Sequence, residues 1–100
     1  MTVRVRLTNA GTTRWDTAVP ALVRLGVQLL TANGELIDRD HSRHPLPRAL
    51  APGEQCELTL QIPAPITPGA YQLKLDLVRE GVTWFELAGS QPVVQSITIE

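Results

Sequence analysis

The chain has 100 residues, of which 43% are hydrophobic and 19% charged, enough to form one folded domain with a buried core. Its formal net charge of −1 argues against nucleic-acid or anionic-membrane binding that depends on bulk positive charge. The single cysteine, Cys56, excludes an internal disulfide and a zinc site built from several cysteines, and no apolar run approaches the roughly 18 residues that span a bilayer. We therefore expect no nucleic-acid partner and no direct membrane insertion.

Apolar and polar residues alternate along most of the chain, which is the pattern of β-strands that bury one face. No stretch of helical periodicity persists. Together with frequent turn signals, this predicts an antiparallel β-sandwich of about seven short strands. In chain order, the alternation predicts strands at residues 3–7, 23–29, 56–62, 71–78, 82–85 and 93–99.

Glycine-containing turn signals separate the predicted strands. Asn33-Gly34 precedes Leu36-Ile37 and predicts a hairpin turn in which both central residues have positive φ. Four further dipeptides are also turn signals, because proline presets the turn or glycine takes the positive-φ conformation that other residues avoid. These pairs are Pro52-Gly53, Pro68-Gly69, Glu80-Gly81 and Gly89-Ser90.

The segment 38–50 is polar and contains Pro45 and Pro47, so we predict a long connection there. It holds four groups that suit divalent metals, namely Asp38, Asp40, His41 and His44. Their spacing matches neither a zinc finger nor a calcium loop, and we interpret the segment as a solvated loop without a metal. Ser42 has no recognisable nucleophile motif around it, so we predict neither catalysis nor a cofactor.

Several short motifs together resemble a known family. Thr8-Asn9-Ala10-Gly11 is followed by Trp15, and the string from Leu75 to Phe85 reads LDLVREGVTWF. Between them stand Leu25-Gly26, Leu46-Pro47, Leu50-Ala51-Pro52-Gly53-Glu54, Pro63-Ala64-Pro65 and Pro68-Gly69-Ala70-Tyr71. The series resembles bacterial immunoglobulin-like accessory domains appended to glycosyltransferases and other cell-envelope proteins. It is more distantly similar to the four-tryptophan domain of autophagy receptors and to the polysaccharide-binding domain of O-antigen transporters.

The resemblance implies an immunoglobulin-like fold and a non-catalytic accessory domain, which mediates protein interaction or spacing within a larger bacterial protein. Its partners would be other domains of the parent protein or a separate protein. The alternative is a carbohydrate-binding module of a cell-envelope polysaccharide enzyme or transporter, with a glycan as ligand. Residues 1–100 form a single domain in this interpretation. Because predicted strands start and end the chain, we expect this domain to be cut from a longer protein.

The aromatic residues supply the candidate binding surface. We expect Trp84 to share the inward face of Val82, so that Phe85 faces the other way. Trp15 follows a loop and would either plug one end of the sandwich or offer an exposed indole to a ligand. The candidate surface for a ligand or partner is therefore Trp15, Phe85, Arg39 and Arg43. A buried Tyr71 would bond through its hydroxyl to the backbone.

Arg4 and Arg6 share the wet face of the first predicted strand. They would keep that strand from pairing with another chain, or alternatively hold an anionic glycan or phosphate. If no strand covers this edge, it could pair with a missing segment or with a second copy in an edge-strand homodimer. Cys56 lies on an apolar face, where it would act as a small hydrophobic residue.

Overall fold

The computed structural model describes residues 1–18, 22–85 and 92–100, and these residues form an all-β chain. No helix within these ranges is long and apolar enough to cross a lipid bilayer. The turn expected at Gly89-Ser90 lies outside the described residues. The described strands are β1 (Thr2–Thr8), β2 (Val23–Thr31), β3 (Leu36–Pro45), β4 (Gln55–Gln61), β5 (Gly69–Arg79), β6 (Thr83–Trp84) and β7 (Val93–Ile99).

The seven described strands form two antiparallel sheets that pack together. β1 pairs with β4 in a two-stranded sheet. β3, β2 and β5 follow one another in a five-stranded sheet, and the second edge of β5 is shared by β6 and β7. The predicted antiparallel β-sandwich is confirmed.

The core lies between the two sheets and follows the alternation of the sequence. β2 contributes Val23, Leu25, Val27 and Leu29, each at most 6% exposed. The same cluster takes in one apolar row from β5, the end of β4, and a residue after β3. Those members are Leu73, Leu75, Leu77, Leu60, Ile62 and Leu46.

The prediction of a long connection over 38–50 was wrong, because most of this segment belongs to strand β3. Gly26 pairs with Arg43 and Leu29 with Asp38, although the register shifts between them. Among the described strands β3 pairs with β2 alone, so it is an edge strand whose side chains are largely solvated. Such a strand needs no row of apolar side chains, so its polar composition resembles that of a loop. Pro45 is the last residue of β3.

The hairpin between β2 and β3 forms as predicted, but its turn differs from the predicted one. Gly34 has a φ of 87°, whereas no residue other than glycine has a positive φ in the described chain. The Gly34 N–H donates to the Thr31 carbonyl at 3.0 Å, and the Thr31 N–H donates to the Glu35 carbonyl at 2.8 Å. These bonds define a longer loop, in which glycine alone takes the left-handed conformation.

The prediction for Tyr71 is confirmed. Its hydroxyl donates to the carbonyl of Thr67 at 2.6 Å, while its ring packs against the core. This bond ties the turn before β5 to the strand itself. The phenol can therefore be half-buried without an unpaired hydroxyl.

Candidate functional site

A groove of about 810 Å³ runs between β1 and the five-stranded sheet. One side consists of β1 and the loop after it, and the other is formed by parts of β5, β6 and β7. No residue of β4 lines the groove, so the groove lies along the edge of β1 that faces away from β4. Its apolar lining includes Val3, Val5, Leu7, Leu25, Leu75, Leu77 and Val93.

The edge of β1 along this groove has no partner strand in the part of the chain that the structure describes. The Ile62 N–H donates to Met1 and the Asn9 N–H donates to Glu54, so these outer pairs of the ladder are hydrogen-bonded. Bonded and non-bonded pairs alternate in an antiparallel ladder. The backbone groups of Arg4 and Arg6 therefore point away from β4, towards the groove.

The core-facing side chains of β1 are incompletely covered. Val3, Val5 and Leu7 pack against the core but stay half-buried, whereas Leu60 on the partner strand is 1% exposed. On the opposite side of the groove, Val93 is 64% exposed. The groove thus combines unpaired backbone groups with accessible apolar surface, which are the two features an added β-strand uses.

Two of the predicted candidates, Trp15 and Phe85, meet at one end of the groove. Their ring centroids lie 5.9 Å apart with an interplanar angle of 74°, an edge-to-face contact. Both side chains are half-buried and pack against the core. Each ring therefore closes one end of the sandwich while still lining the groove.

Asn9 explains why Trp15 lies where it does. This residue is completely buried, and its side-chain amide donates to the carbonyls of Thr13 and Leu50, both at 2.9 Å. Its side-chain oxygen accepts the Gly11 N–H at 3.1 Å. Trp15 and Leu50 then exchange two backbone hydrogen bonds, of 2.9 and 3.0 Å. The Asn9 amide therefore holds the loop that delivers the indole to the groove.

Three arginines lie on the groove, Arg4 and Arg6 from β1 and Arg79 from the end of β5. Arg4 and Arg6 are exposed on the outer face, as predicted. Arg6 pairs with Glu57 at 3.1 Å, a solvent-exposed bridge that contributes little to stability. Arg79 is half-buried and lies on the same side of β5 as Leu77, facing the groove.

The other two predicted candidates, Arg39 and Arg43, lie on β3, away from the groove. Arg39 is solvent-exposed. The Arg43 guanidinium stacks over the Trp84 ring at 4.5 Å from its centroid and pairs with Asp40 at 2.7 Å and Glu80 at 3.3 Å. The Arg43 guanidinium is thus held by an aromatic face and two carboxylates of its own chain.

The expectation that Trp84 packs inward between the sheets was wrong. Trp84 pairs with Val78 in the ladder, and Val78 faces opposite to the core residue Leu77. The ring lies against Gly26, on the outer face of the five-stranded sheet. A parity count starting from Val82 fails because Val82 belongs to the turn before β6, not to the strand.

The ionisable residues of β3 lie on two different faces, because alternate residues of a strand point in opposite directions. His44 and Ser42 pair with the core residues Leu25 and Val27, and Ser42 Oγ is hydrogen-bonded to His44 Nε2 at 2.9 Å. Burial lowers the pKa of His44 below its ordinary value. Within the described residues, no three His, Cys, Asp or Glu side chains are grouped so as to hold a metal ion.

His41 is engaged with its own chain. Its Nε2 lies 2.7 Å from the Pro63 carbonyl, and its Nδ1 is 3.9 Å from Asp38. The imidazole therefore links β3 to the segment after β4. Asp38 and Asp40, the other candidate ligands, are both exposed.

Cys56 is half-buried on the core-facing row of β4, opposite Leu7. Burial raises the pKa of its thiol, and the nearby charge of Arg48 partly opposes that change. A thiol with a raised pKa is mostly protonated near neutral pH and is a weak nucleophile. The predicted role as a small hydrophobic residue agrees with this position.

Sequence reasoning did not single out Asn9 or Arg79. Asn9 carries a detectable signal, since an asparagine two residues before a glycine is typical of a loop that the side chain itself organises. No sequence signal identifies Arg79, because its position on the groove depends on how β5 pairs with β6. The groove itself depends on which strands pair, and alternation within one strand does not contain that information.

Comparison with protein-family models, with curated proteins and with solved structures finds no match.

Proposed function

We propose that this domain is a non-catalytic protein-interaction module that takes up an extended polypeptide segment along the free edge of β1. The observation that carries the proposal is the groove beside that edge, where backbone groups and half-buried apolar side chains are accessible together. In β-strand addition, main-chain hydrogen bonds supply affinity and pockets for alternate side chains supply specificity. The domain would serve in this way as an accessory domain of a larger bacterial protein, as its family resemblance implies.

The shape of the groove supports a strand as its occupant. β1 has seven residues, which at about 3.3 Å per residue gives an edge roughly 23 Å long. Val3, Val5 and Leu7 face the groove side of the core at every second position, so an added strand would meet them at its own spacing. The described residues that line the groove include neither histidine nor cysteine.

Proline substitutions test strand addition directly, because proline lacks the N–H that an added strand would use. The Arg4 N–H points into the groove, so Arg4→Pro removes an edge donor and leaves the ladder with β4 intact. Arg4→Gln removes the charge alone. Thr59, the ladder partner of Arg4, directs its N–H away from β1, and Thr59→Pro is the matched proline on the other edge of the same sheet.

The probe is a set of random peptides displayed on phage and selected on the wild-type domain. We expect the selected peptides to bind Thr59→Pro as they bind the wild type, and to bind Arg4→Pro at least about tenfold more weakly than Arg4→Gln. Circular dichroism and thermal unfolding establish that each variant is folded. Equal binding to Arg4→Pro and Arg4→Gln would contradict strand addition at β1.

Carbohydrate binding is the second candidate, and the Trp15–Phe85 contact favours it. A half-buried indole that lines the same groove as Thr12, Thr13 and Thr83 offers an apolar ring together with polar groups, the usual composition of a sugar platform. A glycan array probed with the wild type and with Trp15→Ala tests this candidate. Glycan binding that disappears in Trp15→Ala would favour it over the polypeptide, and a blank array would remove it.

A further inference from the structure

The rim of the groove carries an excess of positive charge. Arg4, Arg6 and Arg79 lie on it, and the described part of the chain places no carboxylate within ion-pair distance of Arg4 or Arg79. Asp76 is the acidic residue among the described lining residues, and it is 6% exposed. A ligand in the groove therefore meets the Arg4 and Arg79 guanidinium groups without a competing carboxylate from the described residues, whereas it shares Arg6 with Glu57.

Strand geometry determines which ligand residues would meet these arginines. In a strand paired with β1, residues opposite Arg4 and Arg6 point to the outer face, beside the two guanidinium groups. Residues opposite Val3, Val5 and Leu7 point inward, towards the apolar lining of the groove. Ligand residues that meet the arginines and ligand residues that meet the apolar lining therefore alternate along one extended segment.

We propose, building on the function proposed above, that the groove selects a partner segment in which acidic residues alternate with apolar residues. The carboxylates pair with Arg4 and Arg6 on the outer face, because opposite charges on neighbouring strands attract. The apolar side chains cover Val3, Val5 and Leu7. Arg79, at the Trp15 and Phe85 end, favours a further carboxylate at the corresponding end of the segment.

The same arginines disfavour a second copy of the domain as the occupant. Two β1 strands related by a two-fold axis at Val5, the middle of the strand, would pair antiparallel with Arg4 of one copy opposite Arg6 of the other. Like charges placed directly opposite each other destabilise a strand pair. The charge pattern of β1 thus selects against the homodimer and in favour of an acidic partner.

The test uses three fluorescein-labelled peptides as long as β1, in which valine alternates with glutamate, glutamine or lysine. Fluorescence anisotropy gives each dissociation constant. We expect the glutamate peptide to bind about three- to thirtyfold more tightly than the glutamine peptide, and the lysine peptide to bind most weakly. The preference should shrink as salt is added, because salt screens exposed charges.

Two matched variants locate the preference. Arg4→Gln should reduce the glutamate-over-glutamine ratio by about two- to fivefold, as expected for the loss of one cross-strand charge pair. Arg39→Gln removes an equal charge from β3, outside the groove, and should leave the ratio unchanged. An equal loss in both variants would mean that bulk charge is responsible and would overturn the inference.

The remaining outcomes separate this inference from the proposed function. If the glutamate and glutamine peptides bind equally well and Arg4→Pro weakens the binding of both, the acidic preference is overturned and strand addition stays in place. Binding that Arg4→Pro leaves unchanged overturns both. A dimer in sedimentation analysis that Arg4→Pro dissociates, and that the glutamate peptide fails to dissociate, assigns the edge to a second copy and also overturns the inference.

Discussion

The Trp84 ring covers Gly26 so closely that a Cβ at position 26 would lie 2.6 Å from two ring carbons, Cη2 and Cζ3. Glycine is therefore required here for close approach rather than for its backbone freedom. Arg43 stacks on the ring from β3, so Trp84 packs against β2 and also contacts β3. This contact on the outer face fastens the short strand β6 and with it the neighbouring Phe85.

Gly26→Ala should destabilise the domain by about 1–3 kcal/mol, because the added methyl group forces the indole to move. Urea unfolding of wild type and variant measures the difference. The control is a double-mutant cycle with Trp84→Ala, in which the methyl group meets no ring and its cost should fall below about 1 kcal/mol. The same cost in both backgrounds would show that the ring is not the obstacle.

Asn9→Ala should lower the free energy of unfolding by about 2–4 kcal/mol, because it removes two buried hydrogen-bond donors and one acceptor. The loss should also loosen the loop that holds Trp15, and Trp15 fluorescence should move to longer wavelength in a Trp84→Phe background. Thr13→Ala is the matched control, since its carbonyl accepts the Asn9 bond whatever its side chain. Destabilisation as large in Thr13→Ala would contradict this account.

Stability should decrease as the pH falls below the ordinary His44 pKa of 6.5. Burial lowers the pKa of His44 in the folded protein, so the unfolded chain binds that proton more readily. Acid therefore favours unfolding, and above the ordinary pKa the effect vanishes. In urea unfolding from about pH 7 to pH 5, His44→Gln should lose less stability than the wild type. A His44→Gln variant that loses as much stability as the wild type over this range would count against His44.

Ligand binding in the groove should be reported by Trp15 and not by Trp84. Trp15 lines the groove, whereas Trp84 lies under Arg43 on the outer face. In Trp84→Phe, the glutamate peptide should therefore alter the emission of the remaining tryptophan and reduce its quenching by iodide. In Trp15→Phe, the same peptide should leave the emission unchanged, and a response there would place the ligand elsewhere.

The alternation of the sequence predicted the strands that bury one face. β1, β4, β5 and β7 all contain the apolar row expected of them, because burial imposes a period of two on such strands. β3 was missed because it is a solvated edge strand, paired through its backbone, which imposes no apolar period on its side chains. The position of the turn at Gly34 was predicted correctly, but its type was not, because the hydrogen bonds that close the loop also involve Thr31 and Glu35.

The candidate site was predicted only in part. Trp15 and Phe85 were both proposed, and the fold brings them together, whereas Arg39 and Arg43 lie on another strand. The groove arises from pairing between strands that are distant in the chain, and that pairing is set by tertiary packing. The open edge beside Arg4 and Arg6 was considered from the sequence, yet its apolar lining from β5 and β7 required the structure.

Amide hydrogen exchange along β1, followed by NMR with and without the glutamate peptide, tests strand addition most directly. In the free domain, we expect slow exchange at Val3, Val5 and Leu7, which bond to β4, and fast exchange at Arg4 and Arg6. The peptide should slow exchange at Arg4 and Arg6, because their N–H groups then donate to the added strand. Fast exchange at Arg4 and Arg6 in a saturated complex would contradict the account, as would slow exchange there in the free domain.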